Sequence, residues 1–164
     1  MPSKSSLMIE HVLPLLQQTP RRITALTAGL TAAQLHTPLS PGEWSVNDIL
    51  AHLRACADVW GDCIRVIATQ DRPTIRAINP TTWIEQTDYR KQKFKPSLQA
   101  FTAQRANLLK YIGSLAPKDW SRGAIVTGAG SVLTRTVLFY AQWLARHERS
   151  HIKLLERKFK AMHK

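Results

Sequence analysis

Two histidines near the carboxyl end of the chain, His147 and His151, are four residues apart in the stretch HERSH. In an α-helix, residues four apart lie on the same face, so both imidazoles would project in one direction, one turn apart. They also continue a hydrophobic face, because Trp143 precedes His147 by four residues and Leu155 follows His151 by four. Buried imidazoles need polar partners, since an unsatisfied buried polar group costs about 1–3 kcal/mol. A divalent metal ion would satisfy both rings, whereas on an exposed face water would solvate them.

A third histidine, His52, lies in a separate helical stretch, beside Leu53 and three residues after Ile49. In a helical bundle, metal sites are built from side chains that point inward from facing helices. Three protein nitrogens that leave one coordination position open are typical of catalytic zinc, whereas structural zinc is usually closed by four ligands. His52 on one helix, with His147 and His151 on another, thus gives three nitrogens that could converge on one metal ion, and no catalytic residue is assigned.

Two side chains one helical turn from His52 each have two interpretations. Asp48 could accept the second ring N–H of His52, or it could be a first-turn charge that favours the start of a helix, which is the preferred interpretation. Cys56 could supply a thiolate ligand, but free cysteine is often buried and core packing is preferred. Cys56 and Cys63 are separated by about 10 Å along a helix, which is too far for a disulfide.

The amino-terminal part of the chain has helical spacing interrupted by prolines. Residues 6–18 carry apolar residues at helical intervals, with a bend or break expected at Pro14. Thr19 and Pro20 then predict a new helix, with threonine as its N-cap and proline at its first position. Thr31 is predicted to cap a further short turn.

Three longer helices follow, and two of them carry the predicted metal ligands. Ser45 is the expected N-cap of the second main helix, and Asp48 three residues later resembles a capping box. Residues 73–96 are weakly periodic and are interpreted as a crossover connection. A third main helix is expected over 96–115, and Thr134 is the expected cap of the last.

Strand signals are nearly absent, although the stretch AIVTGAGSV at residues 124–132 could form a small hairpin. Four main helices with a long connection between the second and the third predict an all-α four-helix bundle. A length of 164 residues is sufficient for one hydrophobic core, so residues 1–164 are predicted to form a single domain.

Composition narrows the classes of function. The net charge of +12 would attract nucleic acid, but the basic residues are scattered and no recognition helix or zinc-finger spacing accompanies them. We therefore expect no specific nucleic-acid partner. The chain has no apolar run long enough to span a bilayer and no secretory signal, so we expect no membrane association and a cytoplasmic location.

Aromatic and acidic residues near the histidines have structural interpretations. Trp44, Trp60 and Trp143 are predicted to pack in the bundle core, with a pocket mouth lined by Trp143, Tyr140 and Tyr89 as the alternative. Glu148 follows His147 directly and would project about 100° away from it on a helix. The protease motif HExxH is therefore not present.

Two stretches resemble the signatures of a known family. These are the signatures of the DinB/YfiT-like superfamily of metal-binding four-helix bundles. The stretch WSVNDILAHL at residues 44–53 looks like the family's Trp-Ser helix start, which is followed some eight residues later by a histidine. The stretch HERSHIKLL at residues 147–155 looks like the HxxxH motif of the family's last helix. The resemblance covers most of the chain. It implies a divalent metal, commonly nickel or zinc, on His52, His147 and His151. It also implies a small-molecule substrate, in some members a low-molecular-weight thiol, and pairing of chains as a homodimer.

A metal with an open position can favour the thiolate form of a bound thiol or lower the pKa of water. The expected function is therefore that of a metal-dependent enzyme, which activates a thiol for S-transfer or water for hydrolysis. The alternative is a non-catalytic metal-binding bundle that acts as a stress-response or interaction module.

Overall fold

The computed structural model of the protein describes residues 8–162, and four long helices make up most of it. Each long helix packs against two of the others: α6 contacts α1 and α3, and α5 contacts α1 and α3. The predicted bundle is therefore formed, with α3 and α6 as neighbours. The long helices are α1 (Ile9–Thr27), α3 (Val46–Thr69), α5 (Phe94–Gly113) and α6 (Val137–Met162), and the short ones are α2 (Ala32–His36) and α4 (Pro80–Trp83).

A small sheet joins the crossover connection to the loop before α6. Its strands are β1 (Thr74–Arg76), β2 (Gly123–Thr127) and β3 (Leu133–Thr136). Strand β2 pairs with β3 in an antiparallel hairpin, as the stretch 124–132 suggested, and with β1 in parallel. No strand was predicted in the crossover connection at residues 73–96, which contains β1. Strand β1 has only three residues, and its hydrogen-bonding partner lies about 50 residues away in the sequence.

Helix α1 runs without interruption through both of its prolines, so the predicted restart at Thr19 was wrong. Thr19 is buried inside the helix, and its hydroxyl donates to the Leu15 carbonyl oxygen at 3.2 Å. Pro20 has no N–H to donate to the carbonyl oxygen of Leu16 four residues earlier. That oxygen instead accepts a hydrogen bond at 2.8 Å from Nη1 of Arg105 on α5. A tertiary contact thus replaces the missing helical hydrogen bond.

Helix α3, which carries His52, begins at the capping box that the sequence predicted. The Ser45 side chain accepts from the backbone N–H of Asp48 at 3.0 Å, and the Asp48 carboxylate accepts from the backbone N–H of Ser45 at 3.0 Å. Helix α6 begins later than predicted. Thr134 is part of β3, and Thr136 accepts from the backbone N–H of Phe139 at 3.0 Å.

Replacing Ser45 with alanine should lower the free energy of unfolding by about 1 kcal/mol, because one buried N–H at the start of α3 loses its acceptor. Urea denaturation followed by circular dichroism measures the change. Alanine at Ser150, an exposed serine inside α6, should change the free energy by less than about 0.5 kcal/mol. Equal effects of the two replacements would contradict the capping assignment.

The hydrophobic core lies between the four long helices, with Leu16, Leu53, Ile64 and Leu144 fully or almost fully buried. None of the described helices is long and apolar enough to cross a lipid bilayer. That residues 1–164 form one domain stays a prediction.

Candidate metal centre

The three predicted ligands meet where α3 packs against α6. The Nε2 atom of His147 lies 3.1 Å from Nε2 of His52 and 3.2 Å from Nε2 of His151. The ring centroids are 5.0 Å apart for His52 and His147, 5.0 Å for His52 and His151, and 4.6 Å for His147 and His151. Within the described part of the chain, these histidines are the one group of three or more histidine, cysteine, aspartate or glutamate side chains whose ligand atoms all lie within 4.8 Å of one another.

Hydrogen bonding between the rings cannot account for both short contacts of His147. In a neutral imidazole each nitrogen carries either one hydrogen or one lone pair. The Nε2 atom of His147 can therefore make one good hydrogen bond to a neighbouring ring, but it has two nitrogens at hydrogen-bonding distance. A cation between the three nitrogens would use all three lone pairs.

The separations of the nitrogens also suit a common cation. Zinc binds imidazole nitrogens at about 2.0–2.1 Å, so two such donors at a tetrahedral angle are about 3.3–3.4 Å apart. The observed Nε2 separations of 3.1 and 3.2 Å are close to that value. The residues present therefore fit a divalent ion held by three imidazoles, with one further coordination position open.

The electrostatic environment keeps the imidazoles neutral, which is the form that binds a metal. Desolvation, followed by the neighbouring His151 and Arg90, lowers the pKa of His52 to about 4. Desolvation and the two other rings lower the pKa of His147 to about 4 as well. Burial also lowers the pKa of His151, and the nearby Glu148 carboxylate partly opposes that effect. At neutral pH the site therefore presents lone pairs rather than positive charges.

Tryptophan side chains flank the three histidines. The Trp44 ring lies 5.0 Å from the His52 ring, and the Trp60 ring lies 5.1 Å from the His147 ring. Trp143 packs against Trp60, with their centroids 5.7 Å apart. Trp44 is 39% exposed and Trp143 is 44% exposed, so the prediction that they are core residues was wrong. Trp60 is half-buried. Of the alternative mouth, only Trp143 is exposed near the histidines, because Tyr140 is 7% exposed and the Tyr89 hydroxyl donates to Asp58.

Asp48 and Cys56, each one turn from His52, take the preferred roles of helix start and core packing. The Asp48 carboxylate is engaged in the capping box of α3. Cys56 is fully buried and not in a disulfide, with its Sγ atom 3.6 Å from Nε2 of His52. Desolvation and the Glu148 carboxylate raise the pKa of its thiol to about 12, so Cys56 stays protonated at neutral pH.

A buried ion pair next to the histidines, between Arg105 and Glu148, was not predicted from the sequence. Glu148 is 0% exposed and Arg105 is 2% exposed. Nη1 of Arg105 donates to Oε1 of Glu148 at 2.7 Å, and Nη2 of Arg105 donates to Oε2. A signal was present, because Arg105 falls on the apolar face of α5, four residues after Phe101 and three before Leu108. A charge on such a face requires a buried partner of opposite charge.

Known proteins resemble the chain in sequence and in fold. Residues 15–155 match the family model of the DinB superfamily. A Geobacillus thermodenitrificans protein described as "Putative metal-dependent hydrolase" is 25% identical over 151 residues, which are 87% of this chain and 81% of that protein. "Putative metal-dependent hydrolase YfiT" of Bacillus subtilis is 22% identical over 144 residues, which are 87% of this chain and 81% of that one.

A solved structure supports the fold. The structure of Bacillus subtilis YfiT, described as having "an unusual four-helix bundle topology", matches with a TM-score of 0.73 and 21% sequence identity. The match covers 98% of this chain and 93% of that chain. The predicted fold class is therefore confirmed.

Proposed function

The chain belongs to the DinB superfamily, and on that premise we propose that it is a metal-dependent enzyme whose divalent cation is bound by His52, His147 and His151. The observation that carries this proposal is the convergence of three Nε2 atoms from two different helices. Imidazole donors suit zinc and nickel, and these are the two ions we propose.

The proposed reaction is hydrolysis of a small-molecule substrate, and transfer of a low-molecular-weight thiol is the alternative within the same centre. Relatives over most of the chain length bear the description "Putative metal-dependent hydrolase", which favours hydrolysis. A divalent cation held by three imidazoles supplies Lewis acidity, which makes water or a thiol more acidic and polarises the bond under attack.

The chain's own residues limit what else can act in the centre. The imidazoles of His52, His147 and His151 are favoured in their neutral form and would hold the cation through their Nε2 atoms, with the Trp44 and Trp60 rings next to them. Trp44 and Trp143 offer exposed apolar faces to the organic part of that substrate. Glu148 is held by Arg105 and is therefore not free to accept a proton from water. In the metal-free chain, burial and the Glu148 carboxylate favour the protonated thiol of Cys56.

The test is metal analysis combined with an activity screen on untagged protein. We expect about one zinc or nickel ion per chain, and metal-dependent turnover of carboxylic and phosphoric esters, amides or thiol–electrophile pairs in a defined panel. Turnover of esters or amides supports hydrolysis, and consumption of thiols alone supports S-transfer. Stoichiometric metal without turnover of any class would support the non-catalytic bundle instead.

Removal of the metal should lower the melting temperature of the protein. An ion that binds the folded chain and not the unfolded one stabilises it by about 2.7 kcal/mol at a free concentration of 100 times its dissociation constant. Differential scanning calorimetry of chelator-treated protein, before and after addition of zinc or nickel, measures this effect. Magnesium at the same concentration is the control, because it prefers oxygen ligands. Equal shifts with magnesium would contradict a three-imidazole site.

Two further properties stay predictions. Pairing of two chains as a homodimer can be tested by sedimentation velocity at several protein concentrations. A cytoplasmic location can be tested by cell fractionation.

A further inference from the structure

A cavity of about 490 Å³ lies on a different face of α3 from His52, and none of the three histidines lines it. Its walls come from α3, from β1 and the segment after it, from α4 and from α5. A volume of this size falls in the range of small-molecule sites, which are mostly apolar with a few placed polar groups. The cavity is therefore a candidate for a second ligand site.

A glycine in the middle of α3 leaves part of this space open. Gly61 lines the cavity, although glycine inside a helix is less favourable than alanine by about 0.5–1 kcal/mol. Packing does not require glycine here, because a Cβ atom added at Gly61 would meet only the Leu108 side chain, at 3.8 Å, an ordinary contact. The absence of a side chain at Gly61 therefore enlarges the cavity next to α3.

Asp58 holds three walls of the cavity together. Its Oδ2 atom accepts from Nε1 of Trp83 at 3.2 Å and from the Tyr89 hydroxyl at 2.6 Å. Its Oδ1 atom accepts from Nε2 of Gln104. These donors lie on α4, on the segment that follows it and on α5, so the carboxylate fixes their distances from α3. The cavity is thus braced by hydrogen bonds to a charged group and is not a loose gap between helices.

The charged groups of the cavity are of both signs and do not neutralise one another. Asp58, Asp62, Arg65 and Arg76 line it, and among the described residues none of the four forms an ion pair. Their formal charges sum to zero. Apolar side chains fill the rest of the wall, and one of them, Ile78, is 54% exposed at the rim.

We propose that this cavity binds an amphoteric small molecule with an apolar body, such as an apolar amino acid or dipeptide. Its ammonium group lies beside Asp58 and Asp62, and its carboxylate lies beside the guanidinium groups of Arg65 and Arg76. Its side chains contact Ile75, Ile78, Trp83 and Leu108. An amphoteric ligand places an opposite charge beside both pairs of charged groups, whereas a simple amine or a simple acid complements only one pair. Because Asp62, Arg65 and Arg76 are exposed to water, each pairing contributes modestly. The site is independent of the proposed metal centre.

The probe is the dipeptide leucyl-phenylalanine, titrated into the full-length protein by isothermal calorimetry. Its N-acetylated form lacks the ammonium group, and its C-terminal amide lacks the carboxylate. We expect the free dipeptide to bind and each blocked form to bind more weakly, by a factor of up to about five for the loss of an exposed ion pair. Equal binding of all three forms, or no binding of the free dipeptide, would overturn the proposal.

Variants of the chain locate the binding. Gly61→Leu should fill the cavity and abolish binding, while Gly61→Ala should bind the dipeptide and melt at a higher temperature than the wild type. Asp62→Asn should weaken binding by a factor of up to about five, and the matched Asp71→Asn outside the cavity should not. His147→Ala should bind the dipeptide as the wild type does. If His147→Ala abolishes binding or Gly61→Leu retains it, the dipeptide does not occupy this cavity.

Discussion

Replacing His52 with alanine should abolish stoichiometric binding of zinc and nickel, although His147 and His151 remain in place. The reason is that the proposed centre takes nitrogens from two helices, so the removal of any one leaves two donors. Mutation of residues that only hydrogen-bond to a metal ligand reduces metal affinity by about 10–100-fold. Loss of a ligand itself should therefore reduce the affinity by more than about a hundredfold. Competition titration with a chromogenic chelator measures the affinity.

The choice of His52 distinguishes the three-histidine centre from a two-histidine surface site. His147 and His151 alone, one turn apart on α6, could bind a metal weakly without any contribution from α3. Such a site would survive the replacement of His52, and that result would contradict the proposed centre. His36→Ala, which removes an exposed histidine at the end of α2, is the matched control and should leave affinity unchanged.

Replacing Glu148 with alanine should lower the free energy of unfolding by about 3–5 kcal/mol, because it leaves the Arg105 guanidinium buried without its counterion. The pair is 0% and 2% exposed, and two parallel hydrogen bonds join it. Arg105→Ala should be comparably destabilising, since it also removes the donor to the Leu16 carbonyl oxygen in the proline-containing helix. Urea denaturation of the metal-free proteins measures both effects.

The matched control lies two turns further along the same helix. Glu156 pairs with Arg22 at the surface, where both side chains are partly exposed to solvent. Glu156→Ala should lower the free energy of unfolding by at most about 1 kcal/mol, because exposed ion pairs contribute little. If Glu148→Ala were as mild as Glu156→Ala, the expected cost of leaving Arg105 buried without a counterion would be contradicted.

The double replacement of Arg105 by methionine and Glu148 by leucine separates charge from shape. Buried ion pairs replaced by apolar residues of similar volume are often neutral or stabilising, so this variant should be more stable than Glu148→Ala. It should still be less stable than the wild type, because the Leu16 carbonyl oxygen loses its donor beside Pro20. The difference from Glu148→Ala reports the cost of leaving the Arg105 guanidinium buried without a counterion.

The sequence was sufficient for features that depend on residues within about one helical turn. The capping box at Ser45 and Asp48 was predicted because both partners lie within three residues, and the structure confirms it. The shared face of His147 and His151 follows from the helical repeat alone. That His52 joins them is not a local feature, and it was expected from the inward face of its helix together with the family resemblance.

Only the tertiary structure decided features that depend on which faces meet. Pro20 signals a helix start by local rules, but Arg105, 85 positions later, supplies the hydrogen bond that lets α1 continue. Strand β1 forms because it pairs with β2. A stretch of three residues is too short for a strand pattern to be recognised in the sequence. Trp44 and Trp143 have the composition of core residues, and their exposure beside the histidines follows from the packing of α3 against α6. Local hydrogen bonds and helical periodicity can be read in order along the chain, whereas burial and long-range pairing depend on the relative placement of whole elements.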